Sequence, residues 1–181
     1  MSSVKKLSKA LFVIRSLRNL VDQCVLRNFA YFHSLLMYGL EIWGHAPDYL
    51  FQKVFILQKS AIRILANAHY RAECLDLFEQ LDILPLPALY ILQITVFFKK
   101  NPHYLVDSVP SHNHNTRNKN MYTPYKHRTT SYEKGPLYSG QKLYNALPQI
   151  VKEQQSVRVF KTMLKKILFL KKVYSIDDMY K

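Results

Sequence analysis

Apolar residues recur at steps of three and four through residues 29–68, as Phe29, Phe32, Leu36, Gly39 and Trp43, then as Leu50, Val54, Leu57, Ala61, Ile64 and Ala68. That period belongs to the α-helix, so the stretch predicts two helices, each with one apolar face to bury. The 44–47 turn separates them. Gly44 can end the first, and Pro47 with Asp48 suits the first turn of the second, where a missing N–H does no harm and a carboxylate meets the positive end of the dipole. So short a connection implies an antiparallel pair whose stripes pack on each other. A third, shorter helix is expected over 74–81 and a fourth over 88–100, after the Leu84-Pro85-Leu86-Pro87 breaker. The run Ile91, Ile94, Thr95, Val96, Phe97 and Phe98 would also suit a buried strand. Residues 1–21 place Leu7, Leu11, Ile14 and Val21 at helical spacing. They are basic, contain serine and lack acids, which also describes a mitochondrial presequence; a core helix is the favoured reading.

Charge divides the chain differently. The 181 residues carry a net +14, yet residues 28–98 hold 4 basic and 6 acidic residues while residues 99–172 hold 15 basic and 3 acidic, a net of +12. A near-neutral apolar block followed by a cationic one suggests a scaffold joined to a binding surface for a polyanion. Three regions follow: a helical core over 1–100, a basic polar arm over 101–135 in which periodicity disappears, and C-terminal basic helices over 136–181. In the last of these, 141–147 forms a short helix stopped by Pro148, and Ser156 can N-cap a final helix. That helix has an apolar stripe of Val157, Phe160, Leu164 and Ile167, with Arg158, Lys161, Lys165 and Lys172 on the other face. The expected fold is mainly α: an antiparallel helical bundle, a long basic loop and a C-terminal amphipathic helix.

Little in the chain supports catalysis. With 4 glycines in total there is no phosphate-cradling loop or dinucleotide fingerprint. Glu73, Asp76, Glu79 and Asp82 fall three apart and read as solvated charge. Asp177-Asp178 lacks the third carboxylate and strand context of a two-metal site and reads as helix capping. His112-Asn113-His114 has no further spaced ligands, and His33 and His45 flank apolar helix faces as packed, hydrogen-bonded side chains. Cys24 and Cys74 form no CxxC pair and no disulfide framework, which makes a reducing compartment the default. No stretch reaches the roughly 18 uninterrupted apolar residues of a membrane-spanning helix. The expectation is therefore a chain with no cofactor, no metal, no small-molecule substrate and no integral membrane segment, cytoplasmic or nuclear, and not an enzyme by itself.

The densest constellation interleaves cations with aromatics: Arg117, Lys119, Tyr122, Tyr125, Lys126, His127, Arg128, Tyr132, Lys134, Tyr138, Lys142 and Tyr144. Lysine and arginine release counterions from a phosphate chain and tyrosine rings stack on unpaired bases, a route to sequence-tolerant single-strand binding. The expected partner is RNA or single-stranded DNA, with Arg117, Lys119, Lys126, Arg128, Lys134, Arg158, Lys161 and Lys165 on phosphate. Alternatively, the tyrosines pack the arm onto the core. A second functional class also fits, a non-enzymatic interaction protein whose basic amphipathic helix docks on an acidic membrane or a protein partner.

Ordered blocks along the chain carry a resemblance. Phe32-His33-Ser34-Leu35-Leu36-Met37-Tyr38-Gly39 with Trp43-Gly44, then Leu57-Gln58-Lys59 with Ala61-Ile62-Arg63-Ile64, then Leu77-Phe78, Leu81, Ile83-Leu84 and Leu89-Tyr90 come first. Asn115-Thr116-Arg117, Tyr144-Asn145, Leu147-Pro148, Phe160-Lys161 and Leu164-Lys165 complete the series. Together they resemble the region downstream of the polymerase core in reverse transcriptases of jockey-like non-LTR retrotransposons. The resemblance implies a fragment of an RNA-directed DNA polymerase, covering late thumb and C-terminal helices that hold template and primer. The family's catalytic Phe/Tyr-x-Asp-Asp turn and its endonuclease lie outside this chain. Leu35, Met37 and His114 depart from the residues common in those blocks.

Overall fold

A computed structural model describes residues 2–16, 22–106, 122, 128–133 and 135–180. All regular structure among them is helical, and no strand occurs among the described residues. The helices are α1 (Ser2–Ser16), α2 (Asp22–Met37), α3 (Leu40–Trp43), α4 (Asp48–Leu65), α5 (Leu75–Gln80), α6 (Leu86–Lys100), α7 (His103–Val106), α8 (Thr130–Glu133), α9 (Pro136–Asn145), α10 (Gln149–Lys152) and α11 (Val157–Leu170), followed by a 3₁₀ turn at Ile176–Tyr180.

The N-terminal stripe is a core face. Leu7, Ala10, Leu11 and Ile14 of α1 are buried, and α1 packs along both α2 and α4. This corrects one expectation: α2 and α4 touch each other little, because α1 occupies the position in which each would have met the other. The helix expected to run from Phe29 through Trp43 is also broken. Gly39 adopts φ 63°, a left-handed conformation that glycine reaches without steric cost, and α3 restarts after it. Trp43 rests against Phe51 at 6.4 Å between ring centroids and donates its indole N–H to the Tyr38 carbonyl at 2.9 Å. Gly44 does end this segment, and it leaves no room for more: a Cβ there would run into the Tyr90 ring.

α6 is a helix, not a strand. Nearly all of its residues are apolar, so periodicity could not decide the matter. The surrounding α3, α9, α11 and 3₁₀ turn bury eleven of its 15 residues. Its start is held by Gln58 of α4, whose amide donates to the Leu84 carbonyl at 3.0 Å and accepts from the Leu86 N–H at 2.7 Å. That pair ties the proline-rich connection to α4 and satisfies one of the orphan N–H groups at the helix end. Farther along, the Tyr90 and Ser139 hydroxyls meet at 3.0 Å, joining α6 to α9.

The region expected to lack periodic structure is shorter than its 101–135 bounds, since α7 and α8 occupy its two ends as single turns. α9 begins at Pro136, five residues before the expected start, and α10 follows Pro148 as an added turn. Ser156 does precede α11, without a side-chain capping bond. At the chain's far end Asp178 accepts from the backbone N–H groups of Tyr174 and Ser175 at 3.1 and 2.7 Å, the capping role expected of the Asp177-Asp178 pair.

Candidate nucleic-acid interface

α11 contains no acidic residue. Its buried stripe is Phe160, Leu164 and Leu168, packed on α6, which turns Arg158, Lys161 and Lys166 outward; none of these three makes an ion pair among the described residues. Lys165 is differently placed. Its Nζ lies 2.7 Å from Oδ2 of Asp82, so a phosphate would have to compete with that carboxylate. Lys172 similarly approaches Glu79 at 3.5 Å. Two of the acids read as solvated charge therefore neutralise part of the cationic face, a pairing across 83 positions of sequence in the first case.

Other lysines serve the fold. Lys99 donates to the Lys152 carbonyl at 2.7 Å, and Lys152 donates to the Asn145 carbonyl at 2.8 Å, with burial pushing the Lys152 ammonium below its ordinary pKa. His33 stacks on Phe29 at 6.0 Å, and its Nδ1 is buried with no hydrogen-bond partner among the described residues, as is that of His45. The two histidines are packed as expected but not fully bonded. Burial first, and the nearby Lys161 charge second, hold the His33 imidazole below its usual pKa.

The tyrosines of the basic half separate into two groups. Tyr144 is buried, stacks on Phe160 at 6.3 Å, and is pushed up to about 12 by burial and by neighbouring Tyr122. Tyr122 meets the Tyr144 ring edge-on at 6.0 Å, and the Asn145 amide clamps its backbone, accepting from the N–H at 3.0 Å and donating to the carbonyl at 2.7 Å. These two pack the arm onto the core. Tyr132 and Tyr138 instead form a half-exposed T-shaped pair at 6.1 Å, with the Lys142 ammonium 4.6 Å from the Tyr138 ring centre, the arrangement in which an aromatic platform sits beside a cation. Arg128 is exposed just ahead of α8.

Of the expected phosphate contacts, Arg128, Arg158, Lys161 and Lys165 fall on described elements. Arg117, Lys119, Lys126 and Lys134 lie outside the described residues, as do Tyr125, His127 and the 112–114 histidines. Lys166 was missing from that set because its phase places it on the flank of α11 beside Val159 and Leu170; only the absence of acids along the whole helix signals it. No group of three or more metal-ligating side chains occurs among the described residues, and no described helix is long and apolar enough to cross a membrane. No protein-family model matches the chain, and no curated protein or solved structure matches it.

Proposed function

We propose that this chain binds RNA or single-stranded DNA through its basic C-terminal half and catalyses no polymerisation itself, as a fragment of a jockey-like reverse transcriptase would. In this reading the helices form an antiparallel bundle from which the basic arm extends. The observation that carries the proposal is α11, an acid-free helix anchored by one apolar stripe with Arg158, Lys161 and Lys166 outward. A helix held this way presents fixed cations without spending them on folding, and phosphate neutralisation needs nothing more. The Tyr132–Tyr138 pair beside Lys142 supplies the ring surface for bases. In filter binding with a labelled single strand, affinity should fall steeply as salt rises, and primer extension should be absent. Salt-independent binding would overturn the reading.

A second reading has its own support. Val159 and Leu170 are exposed on α11, Leu170 at 82 %, next to Lys166. An apolar flank edged by cations also suits an anionic lipid surface. Sedimentation with phosphatidylserine vesicles but no retention of nucleic acid would favour it.

A further inference from the structure

A cleft of about 330 Å³ opens between the C-terminal end of α1 and the last turns of α4, lined by Arg15, Ser60, Arg63, Ile64, Ala68 and Tyr70. Two guanidinium groups line it, and no carboxylate does among the described residues. Its size falls at the lower end of the range of small-molecule sites.

The local chain explains its shape. α4 ends in a left-handed residue, Asn67 at φ 49°, after which the Ala68 N–H returns to the Arg63 carbonyl at 2.9 Å and the Asn67 N–H to the Ile64 carbonyl at 3.2 Å. This paired closure turns the chain back so that Tyr70 stands at the mouth, 67 % exposed. Arg63 donates its Nε–H to the Ala72 carbonyl at 2.8 Å and also hydrogen-bonds the Cys74 side chain, which fixes the guanidinium plane and leaves its remaining N–H groups for a ligand. The Arg71 guanidinium lies over the Tyr70 ring at 5.0 Å and the His69 ring stands 4.4 Å from it, so a ligand ring would meet Tyr70 on the part that these two leave exposed.

Arg15 and Arg63 each occupy the last turn of a helix, where a cation also eases the dipole. That role does not exhaust their charge. Each helix end contributes roughly −0.5 against a full positive charge on each arginine, so among the described residues the two arginines outweigh the two helix ends. At α4 the closure has in addition already bonded the Arg63 and Ile64 carbonyls.

We propose that this cleft binds a phosphate carried on a planar ring, the chemistry of a nucleotide, with Arg15 and Arg63 on the phosphate and Tyr70 against the ring. Arginine pairs with phosphate through parallel N–H groups. Ser60 donates its hydroxyl hydrogen to the Ile56 carbonyl at 3.0 Å, so toward a ligand it offers an acceptor. A sugar hydroxyl or ring amine fits that acceptor. Ile64 and Ala68 give the apolar floor that a ring requires. The source is either a free nucleotide or one residue of a nucleic-acid strand. The site does not rest on the α11 interface.

Titration calorimetry of the full chain with AMP, and separately with inorganic phosphate, tests the assignment. AMP should bind more tightly than phosphate. Arg15→Gln should weaken both by about tenfold, the scale of one lost charge-assisted contact. Tyr70→Ser should weaken AMP alone. Both side chains are exposed, so the variants should keep the parent's thermal midpoint. An Arg158→Ala/Lys161→Ala/Lys166→Ala variant should bind AMP as the parent does, which separates this site from the strand interface. No heat from AMP in the parent, or parent-like affinity in both Arg15→Gln and Tyr70→Ser, would overturn the proposal. A short oligouridylate that displaces AMP assigns the site to a strand; failure to displace it assigns the site to a free nucleotide, and either result upholds the cleft.

Discussion

α6 and α11 are nearly equal in length and lie against each other, yet the fold uses them in opposite ways. From Leu86 to Phe98 only Gln93 and Phe97 of α6 escape full burial, whereas α11 buries Phe160, Leu164 and Leu168, packs Val157, Ile167 and Phe169 partly against the core and leaves its basic side to solvent or to ion pairs. A helix enclosed on all sides can contribute stability but cannot meet a partner. One anchored by a single stripe can do both, because its outward residues are nearly free of folding constraints.

The largest effects should appear where the two helices are equivalent. Phe98→Ala and Phe160→Ala each delete a fully buried ring and should cost about 3–5 kcal/mol in guanidinium unfolding. A surface-sized loss at Phe160 would break the comparison by showing that α11 is not anchored. Gly44→Ala should cost about 1–3 kcal/mol, since the new methyl must displace the Tyr90 ring of α6; a neutral result would mean that the enclosure of α6 is loose.

His33 sharpens the contrast through pH. Its folded pKa lies below the unfolded 6.5, so the unfolded chain binds the extra proton first. Its contribution is complete above pH 6.5 and is lost as pH falls through the folded pKa. The thermal midpoint should therefore decline on acidification below 6.5, and His33→Gln should flatten that decline. The smallest stability change belongs to the outward face. Arg158→Ala/Lys161→Ala/Lys166→Ala should alter unfolding by no more than about 0.5 kcal/mol, while the slope of log affinity against log salt for a single strand drops by about 2. An unchanged slope would move the contact off α11.

The two-sidedness of α11 was legible from Val157 to Ile167, because Phe160 and Leu164 repeat at helical spacing against Arg158, Lys161 and Lys165. The burial of Leu7, Leu11 and Ile14 was legible for the same reason. α6 was legible as an element but not as a helix, since a segment apolar on every face carries no period. The break at Gly39 was hidden because the apolar rhythm runs on through it. The Lys165–Asp82 pair has no local signal at all, being a product of tertiary placement. Nor does the spacing of Tyr122, Tyr132, Tyr138 and Tyr144 separate those packed on the core from those beside Lys142. What decides is the Asn145 amide and the Phe160 ring. The nucleotide-sized cleft was equally invisible, because its two arginines come from helices 48 positions apart.

The Asn145 clamp on Tyr122 has a topological result. Leu105 is buried and Tyr122 is fastened to Asn145 of α9, so these two points of the chain rest on the same body. With both flanks fixed, the distance between them is set by the fold rather than by the length of chain that joins them, and Asn145→Ala would release the second flank.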